Sequence, residues 1–386
     1  MDHGTNQILF ALLRSVICGE PLSDAEKAQF FEAQIPALLA TAKQHDIIHL
    51  LALGLKQNAL CPGNEPEIRK HILLAVYRYE QQRAELEKLC RTLESAEIPF
   101  LPLKGSVLRG YYPEAWMRTS CDIDILVHKE DSEYAKSVLI EKFGYKYGGM
   151  GSHDISLFTP TGIHVELHYD LLEDGRVNES SKVLKSVWSD VVVSEGFRFW
   201  HEMPDEMFYF YHIAHMAKHF EDGGCGIRPF IDLWILDTIH NTDKKKRDDL
   251  LATGNLLVFA NTVRKLSRVW FENEEHDFVT QRMEDYILRG GVYGNIKNHI
   301  IVHQQKKGGQ IKYALSKIFI PYDVIKFHYP VLQKHRWLTP FMQVRRWCKL
   351  IFCGHLRRAL EELKYNSNVS DVDAVNAQKF LSDIGL

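Results

Sequence analysis

No uncharged apolar run in this 386-residue chain approaches the roughly 18 residues that a membrane-spanning helix requires, so no helical span is expected. A secretory leader is not expected either. Asp2 stands where a basic segment would be, and Arg14 interrupts the apolar run that begins at Ile8. Cysteine is sparse and odd in number: Cys18, Cys61, Cys90, Cys121, Cys225, Cys348 and Cys353. Only Cys348 and Cys353 lie close enough for half a zinc site, and no second pair completes it. Reduced thiols and a cytoplasmic location are therefore expected. The chain lacks a strong charge of either sign. A net charge of −3 excludes a molecule that binds polyanions over its whole surface. Internal repeats and low-complexity tracts are absent, which excludes solenoids and arrays.

What is present is ordinary globular material, 45% apolar and 25% charged, long enough for two or three domains. Residues 1–95 read as an N-terminal helical region. Ser23 and Asp24 supply a capping signal, and residues 65–95 form a long amphipathic stretch with few breakers. The period then changes. Residues 96–175 read as a small core of mixed strands: an apolar strand ending at Gly105, a short helix, a strand at Asp122–Val127, a helix ending at Gly144, and a hairpin around Pro160-Thr161-Gly162. Residues 176–386 are mostly helical, with the clearest helices at 204–220 and 229–240. The aromatic, proline-bearing stretch at 318–330 reads as a loop or surface-packed segment. The fold class expected is α+β.

Within the core, Ile123, Ile125 and Val127 alternate with Asp122 and Asp124. Two carboxylates therefore share one face of a strand, about 6–7 Å apart. At an effective dielectric near 20 their repulsion is about 2.5 kcal/mol. Such a pair is tolerable when solvated or neutralised. In the hairpin, His164, Glu166, His168 and Asp170 lie on one face, opposite Ile163, Val165 and Leu167. Asp122, Asp124 and Glu166 are thus expected to converge. Magnesium (Mg²⁺, with Mn²⁺ as a substitute) suits such oxygen donors together with substrate phosphates. Gly105 and Ser106 open a helix, where backbone N–H groups can approach a triphosphate.

These segments, "LKGSVLRGYYPEAWMRTSCDIDILV" and "HVELH", resemble the nucleotidyltransferase fold of the DNA polymerase β superfamily. Within it the chain is most similar to the bacterial group described as uncharacterised nucleotidyltransferases, over most of its length. The resemblance implies a small mixed-sheet nucleotidyltransferase core flanked by N-terminal helices and a mostly helical C-terminal domain. It implies transfer of a nucleoside monophosphate from an NTP to a hydroxyl or similar acceptor, with release of pyrophosphate. Asp122 and Asp124 would ligate metal. Glu166 would complete the metal site or serve as general base. Gly105 and Ser106 would hold the triphosphate. Fifteen residues separate Ser106 from Asp122, longer than in compact superfamily members. That loop is expected to reach over the nucleotide, with Arg118 as a phosphate contact unless it pairs with Glu114. Lys104 either contacts the triphosphate or extends to solvent. The second-half pattern of the group falls on His215, His219, Arg228 and Asp232, which places the two histidines and Arg228 on the substrate side.

Other readings stand beside these. His212, His215 and His219 share one helix face. Zinc lacks a completing cluster, so a polar face toward a cleft is the expectation. Arg228 and Asp232 have the spacing of a plain helical pair. Residues 297–364 hold fourteen Lys/Arg against Asp323, Glu361 and Glu362, about +11, with aromatics interleaved. An anionic partner, nucleic acid or membrane surface, is one reading, and a solvated face or helical core is another. The acceptor is open between a small molecule, a tRNA end and a protein side chain. The alternatives to an enzyme are a non-catalytic NTP-binding protein and an RNA-binding protein that keeps the fold.

Overall fold

The structure is a computed structural model and describes residues 3–60, 63, 65–173, 177–238, 242–292, 294–352 and 356–386. Cys61 and Cys353, and the end of the helix expected at 229–240, lie outside the described residues. Five helices come first: α1 (His3–Ile17), α2 (Asp24–Ala28), α3 (Ile35–Gln44), α4 (Ile48–Gln57) and the long α5 (Glu65–Ser95). Ser23 caps α2 as expected, in a reciprocal box with Glu26. The core follows: β1 (Phe100–Pro102), α6 (Gly105–Leu108), β2 (Asp122–Val127), α7 (Ser132–Phe143), β3 (Lys146–Met150), β4 (Asp154–Phe158) and β5 (His164–His168). Gly144 ends α7 in the left-handed conformation.

The five strands form one mixed sheet in the order β1-β2-β5-β4-β3. β2 and β5 are parallel; the other neighbours are antiparallel. One face of the sheet packs Ile123, Ile125, Val127, Val165 and Leu167 against Leu89 and Leu93 of α5 and Leu139 of α7. Burying such side chains is worth about 1.5–3 kcal/mol each. That sum exceeds the repulsion of two carboxylates, so the apolar set fixes the register. Asp122 and Asp124 must then face the other way. β3 has no clear strand pattern in its sequence, because two glycines occupy it. A Cβ at Gly148 would lie 2.7 Å from the Phe158 ring and 2.8 Å from the Ser156 hydroxyl. Close approach of β4 selects glycine there over a strand former.

The second half continues with α8 (Asn178–Leu184), α9 (Val187–Asp190), a short hairpin of β6 (Val192–Val193) and β7 (His201–Glu202), α10 (Asp205–Glu221), α11 (Arg228–Thr238), α12 (Lys244–Thr253), α13 (Leu257–Glu272) and α14 (Phe278–Leu288). Then come α15 (Ile296–Lys307), α16 (Gln310–Ile318), α17 (Tyr322–His328), α18 (Val331–Lys334), α19 (Thr339–Phe352), α20 (Leu356–Ser367) and α21 (Asp371–Asp383). The 318–330 stretch thus holds α17 where a loop was one reading, and it is surface-packed, the other reading, with Ile325 as its buried residue. Pro321 precedes the first turn of α17 and Pro330 that of α18, where a missing N–H costs nothing. One apolar core joins both ends of the chain. It contains Leu12 and Leu51 from the first helices, Phe210, Phe230 and Phe259 from the second half, and Phe380 near the end. Leu126, on the carboxylate face of β2, belongs to this core too. The sheet thus lies between its own apolar core and the helical body, with the carboxylates at the second boundary.

Candidate functional site

A cavity of about 310 Å³ opens where the carboxylate face of the sheet meets the helical body. Asp122, Asp124, Glu166, Lys104, Gly105, Arg118, His215, His219 and Arg228 all line it. Ser106 is not among the lining residues, and its hydroxyl is buried without a partner.

The parallel register sets Asp124 directly beside Glu166 and Asp122 beside His164. Asp122, His164 and Glu166 offer ligand atoms within 4.8 Å of one another, and so do Asp124, Glu166 and His168. Glu166 belongs to both groups. Oxygen donors dominate the set, which suits a hard divalent cation. No group of converging ligand atoms among the described residues includes His212, His215 or His219.

The charges at the carboxylates are unevenly balanced. Asp124 is 3% exposed and receives Lys104 Nζ and His168 Nε2, each at 2.8 Å. Burial works to raise its carboxyl, but the Lys104 ammonium and His168 hold it well below the usual range. Lys104 thus neither extends to solvent nor stands free for a phosphate in this arrangement. Its backbone has φ +45°, a strained value for a lysine, and it sits at the turn from β1 into α6. His168 also approaches Glu166 Oε2 at 3.2 Å. That hydrogen bond keeps the Glu166 carboxyl low against the effect of burial. The same two carboxylates raise the His168 imidazole despite its burial. Asp122 differs. Burial, reinforced by the charge of Asp124, pushes its carboxyl up. An added cation would relieve that side of the site most.

Gly105 makes room for the loop. A Cβ there would lie 3.3 Å from Ser120 and 3.5 Å from an Arg118 nitrogen. Gln82 of α5 pins this loop, donating to the Ser120 carbonyl and accepting from the Ser120 hydroxyl and Arg109. The Ser120 hydroxyl in turn donates to the Asp122 carbonyl at 2.9 Å.

Arg118 points inward. Its Nε donates to Asp232 Oδ1 at 2.7 Å, and Tyr112 donates to the same oxygen at 2.6 Å. Its ion pair is therefore with Asp232 of α11, not with Glu114. The expected helical pair of Arg228 with Asp232 is absent too. Arg228 donates to Asp46, between α3 and α4, at 2.9 Å and to the Thr119 carbonyl at 3.1 Å. Tertiary packing separates two residues whose spacing alone suggested a couple.

Along α10, His212 donates to the Pro229 carbonyl, and the His215 and His219 rings meet edge to face, 4.5 Å apart. Burial lowers His215 well below its ordinary value and His219 to about 4. The cavity wall they form is neutral at pH 7. Several contributors at the cavity escaped the sequence reading, His153, Asp154, His168 and His45 among them. His168 was legible as a neighbour of Glu166 on one strand face, but its bridging of two carboxylates was not. His45 lines the cavity with no exposed surface and both ring nitrogens unpartnered. Nothing in its local sequence, in a helical segment far from the core, marks it.

The family model described as uncharacterised nucleotidyltransferase matches residues 32–272. No curated protein and no solved structure matches the chain. The matched segment runs from α3 to α13, and so takes in the sheet, the carboxylates, His45 and the α10–α11 wall. The chain accordingly belongs to the uncharacterised nucleotidyltransferase family.

Proposed function

We propose that the chain transfers a nucleoside monophosphate from an NTP to a hydroxyl acceptor and releases pyrophosphate, with Mg²⁺ or Mn²⁺ held at Asp122, Asp124 and Glu166. The observation that carries this reading is the register of β2 on β5, which gathers three carboxylates at one cavity in a chain of this family. Divalent ions in such a site would neutralise charge on the phosphates and on the attacking and leaving oxygens.

The residues of the chain have separate tasks. The acceptor oxygen forms a bond to the α-phosphorus, and the bond from that phosphorus to the oxygen bridging to the β-phosphorus breaks. Pyrophosphate leaves with the electron pair. Glu166, kept ionised by His168, is available either to take the acceptor proton or to complete the metal site. Lys104, which holds Asp124 at 2.8 Å, would contact a phosphate oxygen of the bound NTP. Gly105, which borders the cavity with the Ser120 loop packed against it, would meet the triphosphate at the start of α6. The neutral histidines of α10 face the cavity from the opposite side and would meet the acceptor or the base.

The test is transfer of label from α-labelled NTPs to candidate acceptors, with pyrophosphate measured in parallel. Wild-type protein should label an acceptor in a Mg²⁺-dependent manner, and the Asp122→Asn/Asp124→Asn variant should not. Label transfer that survives the double substitution would remove the metal-site assignment. Glu166→Gln separates the two tasks of that residue. As general base, its loss should lower kcat by about 10²–10⁴-fold with metal-dependent NTP affinity retained. As ligand, the affinity itself should fall.

A further inference from the structure

The basic C-terminal segment presents two helices whose apolar faces point outward. On α16, Ile311, Leu315 and Ile318 are exposed, with Phe319 directly after them. The spacing of i, i+4 and i+7 places them on one stripe. The opposite side of α16 is anchored: Tyr313 is buried and donates to Glu362. On α19, Phe341, Val344, Ile351 and Phe352 are exposed at the same kind of spacing, while Gln343 is buried. Trp337 stands exposed just before them, its ring 6.3 Å from that of Phe341. Exposure is high: 85% for Phe352, 77% for Ile311 and 69% for Trp337. The two helices are tied to each other at the C-terminal end of α16. Trp347 and Arg346 donate to the Ile318 carbonyl, Arg346 also to that of Lys317, and Phe319 packs edge-on to Trp347.

Apolar stripes this exposed are unfavourable in water unless something covers them. The charge around it indicates what. Lys312, Arg345 and Lys349 are exposed on the same two helices. Of the three acids in the segment, Glu362 is engaged by Lys317 and Asp323 by Lys326. Outward Phe, Trp, Ile and Val among cations is the composition of a helix that lies in a bilayer interface. No described helix is long and apolar enough to cross a membrane.

We propose that α16 and α19 dock the protein on an anionic lipid surface, with their apolar stripes at the headgroup boundary and the Lys/Arg residues on lipid phosphates. Stacking on RNA bases would use aromatic rings but would leave Ile311, Leu315, Val344 and Ile351 uncovered. An acidic bilayer covers both kinds of side chain. Attachment is peripheral and reversible, because it rests on a shallow face and on screened charge.

The experiment is flotation of the full-length protein with phosphatidylcholine vesicles, with and without about one third phosphatidylglycerol, at low and high salt. Binding is expected on the anionic vesicles, weakened several-fold by salt. Phe341→Ser/Phe352→Ser should weaken it at least about tenfold, because buried apolar area is lost. Arg345→Gln/Lys349→Gln should abolish the preference for anionic lipid. All four positions are exposed, and circular dichroism of the variants verifies folding. Three outcomes overturn the proposal: no flotation on anionic vesicles, flotation indifferent to Phe341 and Phe352, or a light-scattering mass showing that these phenylalanines hold a dimer instead. RNA binding that depends on Phe341 and Phe352, in the absence of vesicle binding, would also overturn it.

Discussion

At Asp124 a lysine and a histidine meet one buried carboxylate, each at 2.8 Å, and on α11 Asp232 receives Arg118 and Tyr112 in the same manner. The two clusters have different consequences. Asp124 faces the cavity, where a cation and a phosphate can take over its partners. Asp232 also borders that cavity, but it is 1% exposed and its partners are Arg118 and Tyr112, both buried, with no second carboxylate bonded to them among the described residues. Removing the carboxylate with Asp232→Ala would leave a buried guanidinium uncompensated, so a loss of about 3–5 kcal/mol in urea unfolding is expected. Tyr112→Phe removes one hydrogen bond and should cost about 1 kcal/mol. Equal, small effects from both would mean that Arg118 is solvated or finds another partner. The sequence revealed that Arg118, Arg228 and Asp232 mattered to one region, but not how they pair. Spacing along a helix reports neighbours on that helix. It is blind to Asp46, which arrives from a loop 182 positions away.

Among the elements, β2 was legible to the residue. Its alternation of β-branched side chains and carboxylates describes one buried and one functional face, and the observed strand spans Asp122–Val127. The hairpin of β4 and β5 was legible for the same reason. β3 was not, because a strand that carries Gly148 and Gly149 has no pattern to read. Its glycine is explained by packing that only the fold creates. Gly148→Val should therefore push β3 from β4 and destabilise the protein by about 1–3 kcal/mol, as measured by chemical denaturation. Ser156, which receives that contact, also bonds His164 Nε2 at 2.7 Å beside Asp122, so metal-dependent nucleotide binding should weaken in the same variant. An unchanged stability would show that β3 is not packed as described. The helices after residue 290 illustrate the opposite case: aromatic and proline content obscured a helical pattern that pairwise contacts stabilise.

Over the whole molecule, one core unites helices from both ends of the chain, and the cavity lies where that core meets the sheet. The α+β class and the position of the carboxylates could be read in advance. That the turn between α3 and α4 supplies His45 and Asp46 to the cavity region could not, since long-range packing leaves no local signature. Burial at this seam has a consequence for pH. His45, His49 and His219 are held to about 4, whereas an unfolded chain protonates them near 6.5. Between those values the unfolded state binds more protons than the folded one. Stability therefore falls as pH falls, by up to about 1.4 kcal/mol per histidine per pH unit. His168, which is raised, acts above this window: its contribution is complete below 6.5 and is lost as pH climbs through its folded value. Urea midpoints should drop markedly from pH 7 to pH 5, and His45→Gln should flatten that dependence; a pH-independent midpoint would contradict the burial of these rings. The central claim, that three carboxylates build a metal-dependent nucleotide site, is tested most directly by calorimetric titration with ATP, GTP, CTP and UTP. Titrations are run with and without Mg²⁺, on wild-type protein and on Asp122→Asn/Asp124→Asn. Binding of at least one NTP that needs Mg²⁺ and vanishes in the variant is the predicted result. Binding that ignores both the metal and the two aspartates, or no binding of any NTP, would contradict it.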